Sequence, residues 1–265
     1  MSKKKNSLLW QISAPDNQAQ SYILGTMHVR DKRAFRLVER SLPYLNRCSL
    51  FCAEYDLSSG HSPSEELLRR IQSVPPLLDL LGIRNYEKLR KVLLQRIGLN
   101  LDFYNTIHPM MLLSMIQQKV LGTEEVIILD AFLWDYAGEN QIERKGIETI
   151  DSQMLTLLEL PIRWNIDTLK SISRNFKKFR KKTEKLLQYY ETEHLTAIHR
   201  ASRKMDGEAK RILATRRNIQ MANFMANEAR NKPAFFAIGA AHLSGEKGVL
   251  RMLKKKGFRL RPIHS

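Results

Sequence analysis

Short apolar runs and polar turn segments alternate at the N-terminal end of the chain. The runs "SLLWQIS" (7–13) and "SYILGTM" (21–27) are separated by "APDNQAQ", whose Pro, Asp and Asn favour a turn between two strands. Apolar residues then recur at helical spacing over 34–46, and "SLFCAEYDL" (49–57) is a further apolar run. This pattern predicts two strands, a helix and a third strand.

The middle of the chain is dominated by apolar residues at helical spacing, with Pro and Gly between the segments. A helix break is predicted at Gly82, and a new apolar helix is predicted to begin at Pro109. The run "VIILDAFLWDYAG" allows a strand at 126–129 but favours a helix over 130–137 that ends at Gly138. The middle of the chain is therefore predicted to be mainly helical.

The C-terminal end returns to strand patterns. "AFFAIGAAHL" (234–243) and "FRLRPI" (258–263) are strand-like runs, and the helical pattern between them stops at Gly257. Because strands cluster at both ends, the pattern predicts an α/β fold: a mixed central β-sheet formed from N- and C-terminal segments, with a large helical insertion or cap. The sheet-forming segments are about 7–57, 141–150 and 233–265, and the helical region is about 63–138 and 151–230, within one domain of residues 1–265.

Positive charge is the most unusual feature of the composition. The formal net charge is +17, and much of the excess lies in "SRNFKKFRKKTEKLL" (173–187), where Lys and Arg surround apolar residues at helical spacing. One interpretation is the solvated face of an amphipathic helix. The other is a contact surface for nucleic acid or another anionic surface, because a basic stripe is the expected footprint of such a surface.

The chain carries no pattern of membrane insertion or secretion. No apolar run approaches the roughly 18 residues of a membrane span, and the basic start is not followed by an apolar segment long enough for a secretory signal. We therefore expect no transmembrane segment and a cytoplasmic protein. Cys48 and Cys52, four apart on a predicted strand, are too far apart to bridge, which predicts buried reduced thiols.

A short motif occurs twice, once near each end of the chain. "YILGTMH" and "FAIGAAH" each consist of an apolar strand, a Gly, two further residues and a His, which places His28 and His242 directly after strands. Gly at a strand end allows a sharp turn or a close backbone approach. Ligands of open α/β sheets bind at the carboxyl ends of the strands. The repetition favours a site role for both histidines over two unrelated structural ones.

Carboxylates also follow predicted strands. Glu54 follows "SLFCA", and Glu148 follows "QIERKGI". A carboxylate among apolar neighbours is costly unless it is paired or bound to a cation, so a salt bridge with Lys or Arg is the alternative to a site role. Asp130 is a possible additional carboxylate, for which a helix cap or a salt bridge is favoured.

These motifs, taken in their order, resemble the TraB/PrgY/gumN family over nearly the whole chain. "LLWQISAPDNQAQSYILGTMHV" resembles the N-terminal strand pair of the family, and "CAEYDL" resembles the acidic strand that follows. "LDAFLWDYAGENQIERKGIETIDSQM" resembles the central segment, although Ile147 stands where the family usually has Leu. "TRRNIQMANFM" resembles the Arg-Asn helix with Arg217 and Asn218, and "FFAIGAAHLSGEKGVLRMLKKKGFRLRPI" the C-terminal GxxH unit.

The resemblance implies a hydrolase-like site built from the two His, the two Glu and an Arg. The family includes the Tiki proteases, described as metal-dependent peptidases, and belongs to a wider superfamily with ChaN-like proteins and erythromycin esterases. The esterases are thought to use His as a base without a metal. On this basis the implied metal ligands are His28, His242, Glu54 and Glu148, and the implied catalytic residues are Glu54, Glu148, Arg217 and Asn218.

Three interpretations of this site are open from the sequence. The first is a metal-dependent, peptidase-like hydrolase, because mixed imidazole and carboxylate ligands suit Mn, Co or Zn, and the ion activates a water. The second is a metal-independent esterase or amidase in which His is the base. The third is a non-catalytic protein that binds a peptide or a small molecule. Neither a GxSxG nor an HExxH motif is present.

Overall fold

A mixed β-sheet organises the protein. The computed structural model describes residues 6–15, 20–58, 63–121, 127–203 and 208–264. The strands in this part of the chain are β1 (Leu9–Ser13), β2 (Gln20–Thr26), β3 (Leu50–Tyr55), β4 (Glu143–Glu148), β5 (Ala234–Gly239) and β6 (Arg259–Ile263). The α/β fold class and the mixed sheet are therefore confirmed.

Twelve α-helices accompany the strands in the described ranges. They are α1 (Val38–Leu45), α2 (Glu65–Gln72), α3 (Leu77–Leu81), α4 (Ile83–Ile97), α5 (Pro109–Leu121), α6 (Leu129–Glu139), α7 (Ile150–Leu158), α8 (Ile162–Arg174), α9 (Phe176–Glu191), α10 (Leu195–Arg203), α11 (Glu208–Asn231) and α12 (Val249–Lys255). Short 3-10 helices cover Lys32–Leu37, Leu101–Tyr104 and Ala240–His242. None of the described helices is long and apolar enough to cross a membrane.

Four neighbouring strands run parallel. The order across the sheet is β4-β3-β5-β2-β1-β6, in which β4, β3, β5 and β2 are parallel and β1 and β6 are antiparallel additions. Strands β3 and β5 are buried along almost their whole length, as expected for central parallel strands covered on both faces. The parallel arrangement means that four strands present their carboxyl ends at one edge.

The chain divides into two compact units. The first contains the sheet and comprises residues 1–59, 124–150 and 186–265, and the second is helical and comprises residues 60–123 and 151–185. The second unit has its own apolar core, built from α3, α4, α5 and α8 together with Phe176 at the start of α9. The prediction of a single domain over residues 1–265 is not tested by this division and stays a prediction.

Several local predictions are confirmed, and others need correction. The break at Gly82 is present, with a positive φ of 73° that glycine tolerates well. The helix predicted over 34–46 is a 3-10 helix to Leu37 followed directly by α1 to Leu45, and Asp31 caps its start by accepting from the Arg33 amide. Helix α6 starts at Leu129, so Ile127 and Ile128 form no strand, and it continues one residue past Gly138; residue 126 lies outside the described ranges.

Both cysteines are buried and unbridged, as predicted. Cys48 does not lie on the strand, however. It lies in the turn between α1 and β3, where its amide donates to the Leu45 carbonyl at 2.9 Å. Burial raises the pKa of the Cys48 thiol to about 12, which keeps this sulfur protonated and unreactive near neutral pH.

Candidate functional site

The carboxyl ends of the four parallel strands collect the side chains that the sequence singled out. Thr26 at the end of β2 is paired with Gly239 at the end of β5, so the two GxxH motifs lie side by side. On the other side of β5, strand β3 carries Glu54 near its end, and its Tyr55 is in register with Glu148 of β4. The register therefore brings His28, Glu54, Glu148 and His242 to one edge of the first unit.

Gly25 of the first motif accommodates the turn that carries the second motif. A Cβ atom at Gly25 would lie 2.6 Å from Leu243 Cδ1 and 3.2 Å from the Ala240 Cα. The buried Tyr190 hydroxyl also donates to the Gly25 carbonyl oxygen at 3.0 Å. The glycine thus permits a close approach between strand β2 and the 3-10 helix that ends at His242.

We expect Gly25→Ala to lower the free energy of unfolding by about 1–3 kcal/mol, because an extra methyl group in a filled core forces neighbouring atoms to move. Urea denaturation followed by circular dichroism measures this loss. Gly239→Ala is the matched comparison, since its Cβ would meet Glu54 Oε2 at 3.1 Å and His242 Cδ2 at 3.5 Å, with no backbone atom nearby. A loss at Gly25 no larger than at Gly239 would contradict the close approach.

One guanidinium joins the two glutamates. Arg217, on α11, donates from Nη2 to Glu54 Oε1 at 2.6 Å and from Nε to both Glu148 oxygens at 3.2 Å. The other oxygen of Glu54 accepts the Gly239 amide at 2.8 Å. The side chains of Arg217, Glu54 and Glu148 are 9%, 4% and 7% exposed, so this cluster is a buried ion-pair network. The salt-bridge alternative for both glutamates is therefore present in the structure.

His28 lies between two carboxylates. Its Nδ1 is 3.0 Å from Asp130 Oδ2, and its Nε2 is 3.8 Å from Glu54 Oε2. The Nδ1 and Oδ2 atoms are at ion-pair distance without the alignment of a directed hydrogen bond. The other Asp130 oxygen accepts from the Thr26 hydroxyl at 2.7 Å, which fixes the carboxylate at the end of β2. The salt bridge favoured for Asp130 is thus found, but its partner, His28, could not be read from the sequence.

His242 is oriented by an amide. Its Nδ1 lies 2.6 Å from the Oδ1 atom of Asn218, which is next to Arg217 on α11. The Nδ2 of Asn218 donates to the Lys247 carbonyl oxygen at 2.6 Å. A carbonyl oxygen can only accept, so the amide nitrogen faces Lys247 and the amide oxygen faces the imidazole. The Nδ1 atom of His242 therefore carries the proton, and Nε2 keeps its lone pair.

The two imidazoles have opposite electrostatics. Burial disfavours the charged form of His28, but the carboxylates of Asp130 and Glu54 outweigh burial and raise the pKa of His28 well above its ordinary 6.5. Burial lowers the pKa of His242 below 6.5, against the attraction of Glu54 and with repulsion from Arg217 and His28. Near neutral pH, His28 is thus an imidazolium and His242 a neutral imidazole.

The two glutamates also differ. Burial would raise the pKa of Glu54, but the positive charges of His28, 3.8 Å away, and of Arg217 hold that pKa well below 4.5. Burial raises the pKa of Glu148, and Arg217 offsets only part of this effect. Glu54 is therefore a permanent carboxylate and a weak base, whereas Glu148 is the more basic of the two.

The donor atoms do not assemble as a metal site. No group of three or more His, Cys, Asp or Glu side chains is arranged to hold an ion anywhere in the described ranges. Arg217 already occupies the space between Glu54 and Glu148 with a positive charge, and a divalent ion there would be repelled by it. In this geometry the residues do not fit a metal bound between the glutamates.

A family model described as TraB/PrgY/gumN family matches residues 8–262, nearly the whole chain. The chain therefore belongs to this family, and the resemblance seen in its motifs is confirmed. Comparison with curated proteins and comparison with solved structures each give no match.

Proposed function

We propose that this member of the TraB/PrgY/gumN family is a metal-independent hydrolase of amide or ester bonds, in which His242 is the general base. Peptides are the first substrates to test, followed by small esters. The observation that carries the proposal is the His242–Asn218 pair, in which a neutral imidazole is held in one tautomer at the carboxyl edge of a parallel sheet.

In the proposed reaction, Nε2 of His242 takes a proton from water as the water oxygen attacks the carbonyl carbon. The negative charge that develops on the carbonyl oxygen is stabilised by the imidazolium of His28, whose side chain is 38% exposed and can therefore reach a substrate. The C–N or C–O bond then breaks, and the leaving amine or alkoxide receives the proton from His242. The products are a carboxylic acid, which ionises in water, and an amine or alcohol.

The remaining polar groups position these two histidines. Asn218 fixes the tautomer of His242, and Asp130 and Glu54 keep His28 charged. Arg217 holds Glu54 and Glu148 in place at the ends of β3 and β4. The proposal gives the role of base to His242 and not to Glu54, because a carboxylate with a strongly lowered pKa is a poor proton acceptor.

A divalent Mn, Co or Zn ion is the competing proposal, which rests on the His and Glu types at this edge. The experiment that separates the two is a hydrolysis screen with chromogenic esters and quenched fluorescent peptides. Protein dialysed against a chelator is compared with protein supplied with Mn, Co or Zn. Retained activity after chelation supports the proposal, and activity that returns only with one metal overturns it. Stoichiometric peptide binding without any cleavage would instead favour the binding protein.

We expect a bell-shaped pH dependence of kcat/KM. The base must be unprotonated, so activity rises with pH through the pKa of His242, which lies below 6.5. The electrostatic partner must be protonated, so activity falls as pH rises through the pKa of His28, which lies above 6.5. His28→Gln should remove the alkaline limb and leave the acid limb. If kcat/KM of the unmodified protein instead rises only above pH 6.5 and shows no fall at alkaline pH, this assignment of roles is contradicted.

A further inference from the structure

The start of α9 exposes a dense group of cations. Between residues 170 and 185 the sequence has eight Lys or Arg residues and one Glu, a net charge of +7 out of +17 for the whole chain. The exposed cations of this segment are Arg174, Lys177, Lys178, Arg180, Lys181, Lys182 and Lys185. The amphipathic helix predicted here from the spacing of apolar residues is present as α9.

Five lysines form one stripe along α9, which we call the α9 stripe: Lys177, Lys178, Lys181, Lys182 and Lys185. They are spaced at i, i+1, i+4, i+5 and i+8, so they lie on one helix face over about 12 Å. The opposite face is buried through Phe176, Thr183, Leu187 and Tyr190. The stripe therefore faces solvent as a row of positive charge.

Helix stability does not account for the α9 stripe. Lys177 and Lys178 occupy the first turn, which has no acidic residue, although the helix dipole favours anions there. The pairs Lys177–Lys181 and Lys178–Lys182 are like charges four residues apart, an unfavourable spacing. Among the described residues, none of these four lysines has an ion-pair partner. Neutralisation by an external polyanion would relieve this repulsion.

The chemistry of the α9 stripe selects one kind of polyanion. Membrane adsorption through an amphipathic helix needs a free apolar face, but Phe176 belongs to the core of the second unit and Phe179 packs against that core. Phe179 is the one aromatic residue between Lys177 and Lys185, and because it packs against that core it offers no free face on which an unpaired base could stack. We propose that the α9 stripe binds the phosphate backbone of duplex nucleic acid without reading its sequence.

The test measures binding of the full-length protein to fluorescently labelled DNA and RNA duplexes of arbitrary sequence over a range of salt concentrations. With four to five phosphate contacts, the slope of log K against log salt is expected to be about −4. Affinity should then fall on the order of 10²-fold between about 50 and about 200 mM salt. A slope near zero, or binding that depends on one particular sequence, would overturn the proposal.

A pair of triple variants separates the α9 stripe from net charge. Lys178→Gln/Lys181→Gln/Lys182→Gln removes three stripe charges, whereas Lys254→Gln/Lys255→Gln/Lys256→Gln removes three exposed charges at the end of α12. The stripe variant should shift the slope by about 2.7 toward zero, and the control should shift it by less than about 1. Equal weakening by both variants would show that net charge alone is responsible and would overturn the proposal.

Two further measurements complete the test. Because the stripe lysines repel one another, the stripe variant should keep its fold and gain roughly 2–4 °C in Tm. Loss of binding together with a lower Tm would contradict the argument from helix stability. The second measurement is binding of the protein to vesicles of mixed phosphatidylcholine and phosphatidylserine. Binding to these vesicles with no binding to either duplex would assign the stripe to an anionic membrane surface and overturn the nucleic-acid proposal.

Discussion

The His242→Ala variant is expected to lose roughly 10²–10⁴-fold in kcat/KM toward the ester or peptide that the screen identifies, because a positioned general base contributes about that factor. The stability of the variant should change little in comparison, since the His242 side chain is only partly buried. Steady-state kinetics on purified protein, with Tm measured on the same sample, tests this expectation. A variant with full activity would remove His242 from the reaction.

His264→Ala is the matched control, because it removes an exposed imidazole after β6 without touching the site. Asn218→Asp probes the positioning role more finely. A carboxylate in place of the amide would favour the imidazolium, so the acid limb of the pH profile should move to higher pH while activity at alkaline pH is largely kept. An unchanged acid limb would show that Asn218 does not control the protonation of His242.

The sequence predicted which strands carry the site but not how they are ordered. Apolar runs ending in Gly or Glu identified β2, β3 and β5, since their composition is that of buried strands. The adjacency of β2 and β5 depends on pairing between residues more than 200 positions apart, such as Leu24 opposite Ala237. Local periodicity contains no information about such pairings. Only the repetition of the GxxH motif pointed to them.

The sequence predicted which residues form the site better than it predicted what chemistry they perform. The residue types of His28, Glu54 and Glu148 are equally compatible with a metal site and with an ion-pair network. The choice depends on where Arg217 lies, and its partners are more than 60 positions away in the chain. Asp130 carried a weaker signal, a lone carboxylate in an apolar segment, whose partner could be identified only in the folded chain.

Removal of the guanidinium is expected to have the largest effect on stability. In Arg217→Met, two carboxylates with side chains that are 4% and 7% exposed lose their shared cation. Loss of one partner from a buried ion pair typically costs 3–5 kcal/mol, because an uncompensated charge is left behind, so we expect a decrease of about that size in the free energy of unfolding near pH 7. Chemical denaturation of both proteins measures it.

Two variants show whether burial is the cause. Arg70→Met removes the cation of the exposed Arg70–Glu66 pair on α2, whose side chains are 48% and 53% exposed, and should change stability little. Glu54→Gln combined with Arg217→Met removes the stranded charge together with its partner, and should recover part of the loss. A double variant as unstable as the sum of both single variants would mean that Glu54 and Arg217 do not interact energetically.

The unfolding free energy lost in Arg217→Met should also depend on pH in a defined direction. The folded-state pKa of Glu54 lies well below 4.5, so its ionised form stabilises the fold above about pH 4.5, and this stabilisation disappears as pH falls toward the lowered pKa. Once Glu54 is protonated, Arg217 no longer stabilises it. The difference in unfolding free energy between the unmodified protein and Arg217→Met should therefore be greatest near neutral pH and shrink as pH falls below 4.5. A difference that is constant or grows under acid would show that Arg217 stabilises the fold through packing instead of charge.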